Sequence, residues 1–96
     1  MKKFVYLYVG SGDESSQDMA AWEKWFGDLG AHLVDSGNPF GPGRATSTSG
    51  SSEMPHDHST ITGYNIINAN DMDHAEALLR HCPMKSQVQI YECLPM

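Results

Sequence analysis

The segment His56-Asp57-His58 combines residue types and a spacing that could support chemistry. If the segment is extended, its two histidines project to the same side. Two imidazoles there could ligate a divalent transition metal, with a carboxylate as a third ligand. A histidine beside an aspartate could instead act as a general base, because imidazole titrates near neutral pH. A solvated polar loop is the third interpretation, since the sequence around the motif offers no second ligand cluster.

Two further places carry side chains that could bind or react. Arg44 lies in an otherwise uncharged stretch and could hold a substrate carboxylate through two hydrogen bonds, or it is simply an exposed strand residue. His81 and Cys82 are adjacent, but neighbouring helical residues point about 100° apart, so they are not a ready Cys–His pair. The sequence contains no phosphate loop, nucleophile elbow, HExxH motif or dinucleotide fingerprint. We therefore predict no resident metal or cofactor, and our catalytic candidates are His56, Asp57 and His58.

The longest periodic stretch, residues 18–37, is the element that must position the rest. Its apolar side chains recur in steps of three and four, the period of one helix face. They are Met19, Trp22, Phe26, Leu29 and Leu33. The spacing predicts a helix that ends at Gly37 and packs its aromatic side chains into the core.

Four strands and a second helix complete the expected elements. Residues 2–9, 44–49, 59–68 and 87–93 read as strands, with a turn at 50–52 and a bulge or close approach at Gly63. Residues 71–82 read as a helix capped by Asn70 or Asp71.

The first strand is apolar on both sides, so we expect both sides to be covered. Val5, Leu7 and Val9 point one way, whereas Phe4, Tyr6 and Tyr8 point the other way. We predict that the aliphatic set faces the helices and that the tyrosine set faces a second subunit.

The element order β-α-β-β-α-β predicts an α+β fold of the ferredoxin-like type, with a four-stranded antiparallel sheet and both helices on one face. At 96 residues, the chain is expected to be one domain over residues 1–96. All four tyrosines fall in predicted strands, so two sheet faces meeting could enclose a cavity with polar tips. The predicted ligand-binding residues are Tyr6, Tyr8, Trp22, Arg44 and Tyr64.

Charge and composition restrict the partners. Six basic residues against 12 acidic residues give a net charge of −6, which argues against nucleic acid and anionic membrane as partners. No apolar run reaches the roughly 18 residues that a membrane span needs. The short apolar run after Lys2 and Lys3 lacks a cleavage site and reads as a strand rather than a signal peptide. We expect a cytoplasmic protein with free thiols.

Five stretches of the sequence together resemble the YCII-related family, and most closely its branch that shares features with the DGPF proteins. The stretches are KKFVYLYVG, MAAWEKWFGDLG, SGNPFGPGRATSTSG, TGYNIINANDMDHAEALLRHCP and QIYECLPM, which span nearly the whole chain. The resemblance implies a ferredoxin-like protomer, a homodimer of the dimeric α+β barrel type, and a pocket between sheet and helices in each subunit. Enzymatic activity is proposed for parts of the family, whereas many of its members have no assigned reaction.

The sequence departs from the family pattern at two places. The YCII branch carries a histidine on its first helix and an aspartate near the end of its second helix, whereas Trp22 and Cys82 lie near those positions here. The Asp-Gly-Pro-Phe signature is replaced by Glu-Met-Pro-His-Asp-His at residues 53–58. The acid/base dyad therefore does not carry over.

The function expected from the residues and the resemblance is binding of a small organic molecule by a homodimer. Its pocket could support cofactor-free acid/base chemistry of the lyase or isomerase type. The alternatives are a non-catalytic interaction module and a cofactor-free oxygenase on the same barrel.

Overall fold

A four-stranded antiparallel sheet with two helices packed against it forms the body of the protein. The computed structural model describes residues 1–10, 19–55, 57, 59–83 and 87–96. Along this part of the chain the elements are β1 (Lys2–Val9), α1 (Met19–Leu29), β2 (Leu33–Asp35), β3 (Arg44–Ser47), β4 (Gly50–Glu53), β5 (Ile61–Ala69), α2 (Met72–Ala77) and β6 (Gln87–Cys93). The sheet has the strand order β2-β5-β1-β6, and β3 and β4 form a separate two-stranded sheet. None of the described helices is long and apolar enough to cross a membrane.

The orientation predicted for β1 is wrong for its tyrosines. Tyr6 and Tyr8 point with Phe4 into the core and are at most 6% exposed. Val5 and Leu7 lie on the other side of the sheet and are half-buried. The tyrosine rings face inward because α1 presents indole rings to them: Tyr6 stacks on Trp25, and Tyr8 meets Trp22 edge-on.

The core is one cluster that contains residues from both helices and from one face of the sheet. Trp25 is 2% exposed and Leu29 is 3% exposed, while Trp22 and Phe26 pack against the cluster from its half-buried margin. The prediction that these aromatic residues pack in the core is therefore confirmed. The other fully buried members come from the strands and from α2: Phe4, Ile67, Ala69 and Ala75.

The first helix is shorter than its apolar spacing predicts. It ends at Leu29, and Gly30 adopts φ +55°, a left-handed conformation that commonly ends a helix. A 3₁₀ turn follows over Gly30–His32, and the chain then extends into β2. Leu33 still reaches the core, but from a strand in which it pairs with Ile67.

The predicted strand at residues 44–49 is also only partly correct. Residues 44–47 are extended, but they pair with β4 and not with the main sheet. The turn occupies residues 48 and 49 and not residues 50–52, because Gly50 at φ +138° already begins β4. The sheet position that this strand was expected to fill is taken by β2.

Two local predictions for β5 and α2 are confirmed. The register between β1 and β5 shifts at Tyr8 and Val9, opposite Gly63. The backbone of Pro39 also pairs with Gly63 as an isolated β-bridge. The β-bulge and the close approach of a second backbone segment therefore both occur at Gly63. Asp71 caps α2, since its carboxylate accepts a hydrogen bond from the His74 backbone N–H at 2.8 Å.

Two aromatic donors hold the end of α2 against the sheet. The Tyr6 hydroxyl donates to the Ala75 carbonyl at 2.5 Å, and the Trp25 indole N–H donates to the Leu78 carbonyl at 3.1 Å. The last carbonyls of any helix lack intrahelical partners. Here side chains from β1 and α1 supply those partners.

Replacing Tyr6 by Phe is expected to lower the free energy of unfolding by about 1–3 kcal/mol, because the buried Ala75 carbonyl loses its donor while the ring remains. Urea unfolding followed by circular dichroism measures the change. Tyr91→Phe removes a hydroxyl from a side chain that is 57% exposed and is the matched control. An equal loss in both variants would contradict the role given to Tyr6.

Candidate functional site

Three of the predicted ligand-binding residues meet on the helix side of the sheet. Tyr8 and Trp22 have ring centroids 5.2 Å apart, and Tyr6 lies two residues along the same strand. Asn65 on β5 is paired in register with Tyr6 and faces the same side. We call Tyr6, Tyr8, Trp22 and Asn65 the tyrosine–asparagine cluster.

A buried side-chain hydrogen bond organises this cluster. The Tyr8 hydroxyl donates to Asn65 Oδ1, and both groups are shielded from solvent. Asn65 is 0% exposed and is the buried polar residue of the described core. Its Nδ2 has no hydrogen-bond partner, and it is the one buried side-chain nitrogen or oxygen for which this holds in the described part of the chain.

The two phenols are protonated at neutral pH and cannot act as bases. Burial, followed by the neighbouring Cys82 side chain, raises the pKa of Tyr6 well above its ordinary value. The pKa of Tyr8 is raised further by the same burial, with Cys82 and Tyr6 adding to it. Both hydroxyls therefore keep their protons, which they donate to the Ala75 carbonyl and to Asn65 Oδ1.

Cys82 borders the cluster from the C-terminal side of α2. It is half-buried and packs against the core. The Cys82 side chain therefore forms part of the surroundings of the aromatic core.

The structure does not bring Arg44 and Tyr64 into this cluster. Arg44 is exposed on the separate hairpin, opposite Glu53. Tyr64 lies on the opposite face of the main sheet from Tyr6 and Tyr8, where it stacks on Phe40 at 5.6 Å. Their assignment as ligand-binding residues stays a prediction.

Of the three catalytic candidates, the structure describes Asp57 alone. His56 and His58 lie outside the described residues. Asp57 is exposed, and its Oδ1 accepts hydrogen bonds from the Ser59 backbone N–H at 2.8 Å and from the Ser59 hydroxyl at 2.6 Å. These bonds form a local turn. The catalytic roles of all three residues stay predictions.

A second pair of titratable residues, His32 and His74, meets with ring centroids 5.2 Å apart. His32 Nδ1 lies 3.0 Å from the Asn68 carbonyl, which can only accept, so this nitrogen carries a hydrogen. His74 Nδ1 accepts from the Asn70 backbone N–H at 2.9 Å. To bind a metal ion, each of the two imidazoles would have to give it one ring-nitrogen lone pair. The lone pair of His74 Nδ1 already accepts the Asn70 N–H. The described residues contain no group of three or more potential metal ligands.

An open cavity of about 340 Å³ lies on the hairpin formed by β3 and β4. Its walls are Ala45, Thr46, Ser47 and the facing small residues of the turn and β4. The lining has no titratable side chain, so the tyrosine–asparagine cluster is the better candidate site.

Sequence reasoning missed Asn65, although a signal for it was present. In β5 the inward positions alternate as Gly63, Asn65, Ile67 and Ala69. A polar side chain in an otherwise apolar inward row requires a buried partner. That alternation could have indicated Asn65 once the inward row had been recognised.

Comparisons with protein-family models, with curated proteins and with solved structures find no match to this chain. The functional argument therefore depends on the residues of the cluster and on their geometry.

The buried phenols predict a loss of stability in alkaline solution. Their pKa values are raised by folding, so their contribution is fully present below the ordinary pKa of about 10 and is lost as pH rises above it. Each phenol adds a slope of at most about 1.4 kcal/mol per pH unit. Urea unfolding between pH 8 and pH 11 should show a shallower decline for Tyr6→Phe and for Tyr8→Phe. Tyr91→Phe should follow the unmodified protein, and a shallower decline in that variant as well would contradict the assignment.

The Tyr8–Asn65 pair predicts non-additive mutations. Tyr8→Phe leaves Asn65 Oδ1 without its hydrogen-bond donor and should destabilise the fold by about 1–3 kcal/mol. Adding Asn65→Leu removes this oxygen together with the unsatisfied Nδ2. The double variant should regain most of that loss, since Leu has the same branching as Asn. A double-mutant cycle by urea unfolding measures the coupling. Additive losses would mean that the hydrogen bond does not link the two residues.

Proposed function

We propose that this chain is a homodimer that binds one small organic molecule per subunit at the tyrosine–asparagine cluster. The observation that carries the proposal is the unsatisfied Asn65 Nδ2 beside Tyr8 and Trp22. A buried donor without a partner costs roughly 1–3 kcal/mol, and such groups occur where a ligand can satisfy them. The surrounding phenol and indole rings supply both apolar surface and polar tips.

The fold in this proposal is a ferredoxin-like protomer. The strand order β2-β5-β1-β6 supports it, with the hairpin of β3 and β4 inserted between the second and third sheet strands. Both helices contribute to one core cluster on one face of the sheet, which also supports this arrangement.

The open face of the sheet supports the dimer in this proposal. The face combines aliphatic and aromatic side chains that pair across β1, β5 and β6. They are Val5, Leu7, Tyr64, Ile66 and Tyr91. Tyr91 is 57% exposed in the single chain, and the other four side chains are half-buried. A second copy placed face to face would cover this apolar row and form a barrel of the dimeric α+β type.

Acid/base chemistry of the lyase or isomerase type is the catalytic part of the proposal. The Asn65 amide N–H would stabilise charge that develops on a substrate oxygen. Since both phenols remain protonated, the base must be another group. His58, assisted by Asp57 or His56, is the base that we propose from the sequence.

A second candidate function, a non-catalytic interaction module, is favoured by the same open sheet face. In this alternative the dimer is the functional product and the acidic exterior is the partner surface, consistent with the net charge of −6.

Native mass spectrometry of the freshly purified protein tests both candidates. The proposal expects a dimer that carries small organic molecules, at most one per subunit, which leave under dissociating conditions. Trp22→Ala should reduce ligand retention while the dimer persists, because Trp22 lies at the cluster and not on the open face. Val5→Lys should give monomers, because it introduces a charge into the apolar row.

Ala45→Lys, on the exposed hairpin, is the matched control for the charge and should leave the dimer intact. An empty dimer would favour the interaction module. A monomer from the unmodified protein would contradict the dimer in both candidates.

A further inference from the structure

The amide of Asn65 restricts what the proposed ligand can be, because the orientation of its nitrogen follows from hydrogen-bond chemistry. In the arrangement observed, Oδ1 accepts the Tyr8 hydroxyl proton and Nδ2 is unsatisfied. If the amide were turned over, Nδ2 could donate to the Tyr8 oxygen. Oδ1 and the Tyr8 proton would then both lack partners. The observed orientation leaves fewer polar groups unsatisfied, so the site presents an N–H donor to a ligand.

The other polar groups of the cluster do not compete for this role. The Tyr6 hydroxyl is engaged by the Ala75 carbonyl, and the Tyr8 hydroxyl is engaged by Asn65. The ligand atom that completes the site must therefore accept a hydrogen bond from an amide N–H. Carbonyl oxygens, carboxylate oxygens and ether oxygens all accept, and electrostatics distinguishes among them.

The cluster carries no charge that could balance an anion. Its side chains are two phenols that keep their protons, an indole and an amide. Moving an unpaired carboxylate into such surroundings is strongly unfavourable, and the net charge of −6 adds repulsion. An ether oxygen is a weaker acceptor than a carbonyl oxygen. An uncharged carbonyl group is therefore the best match.

We propose that the site binds an uncharged carbonyl compound, a ketone, aldehyde or amide, whose oxygen accepts a hydrogen bond from Asn65 Nδ2. This inference rests on the proposed function, since it names the ligand class of the same site.

Trp22 is the side chain that would have to move to admit the compound. It is half-buried, whereas Tyr6, Tyr8 and Asn65 are at most 6% exposed. Its indole has ring contacts with three described neighbours, Tyr8 among them, and separating each contact costs about 0.5–1.5 kcal/mol. Satisfying the buried amide returns about 1–3 kcal/mol. The hydrogen bond offsets part of this cost, so the compound must also bury apolar surface against the rings of the cluster.

The inference is tested on the full chain labelled with ¹⁵N at asparagine side chains. Acetophenone is the carbonyl probe, and benzoate is the anionic probe of nearly the same shape. Acetophenone should shift the Asn65 amide signals and change the tryptophan emission, and benzoate should bind at least about tenfold more weakly, equivalent to about 1.4 kcal/mol. Asn65→Leu should weaken acetophenone binding by roughly 2–10-fold, as expected for one neutral hydrogen bond. Asn68→Leu, on the same strand but the opposite face, is the matched control and should leave the affinity unchanged.

The outcomes separate this inference from the proposed function. Benzoate binding as tightly as acetophenone, or acetophenone binding that leaves the Asn65 signals unmoved, overturns the carbonyl assignment while a ligand site remains. If neither probe binds at millimolar concentration while native mass spectra show another molecule, the carbonyl assignment alone fails. If neither probe binds and no molecule is retained, the proposed function fails with it. The measurements on the unmodified protein decide the matter even if Asn65→Leu does not fold.

Discussion

Donation from Tyr6 and Trp25 to carbonyl oxygens at the end of α2 is the interaction on which the arrangement of helices and sheet depends. A helix of six residues is far too short to be stable alone, so α2 is stabilised by its tertiary contacts. Asp71 satisfies its N-terminal end, and the two aromatic donors satisfy carbonyls at its C-terminal end. Since one donor comes from β1 and the other from α1, these bonds join three elements in one place.

The same interaction determines which side chains of β1 lie on each face of the sheet. A tyrosine that must reach the Ala75 carbonyl cannot also point to the other side of the sheet. Because side chains alternate along a strand, Tyr8 turns inward with Tyr6, and Val5 and Leu7 turn outward. The two tyrosines of β1 are thereby enclosed, and its aliphatic side chains lie on the open face. The enclosed aromatic core and the outward position of Val5 and Leu7 are thus two consequences of one strand orientation.

The enclosed face contains a feature that stability alone does not explain. Replacing the Tyr8–Asn65 pair by apolar side chains of similar shape would remove an unsatisfied amide, which is often neutral or stabilising. Buried polar groups that are incompletely satisfied are more easily understood at sites where function constrains the sequence. We therefore interpret Asn65 through the ligand that we propose for it.

Local structure was largely accessible from the sequence, because it depends on near neighbours. The bounds of β1 and β6, the cap at Asp71 and the backbone irregularity at Gly63 follow from alternation, side-chain hydrogen bonding and the absence of a Cβ. The aromatic residues of the periodic stretch correctly indicated that α1 packs aromatic side chains against the core.

Only the tertiary structure decided which side of β1 faces the helices, because both sides are apolar and alternation is symmetric between them. It also decided that Leu33 reaches the core from a strand, since its spacing from Leu29 fits a helix equally well. The meeting of Tyr8 with Asn65 joins residues 57 positions apart along the chain. Contacts over such separations depend on strand register and helix packing, which no local pattern of residue types specifies.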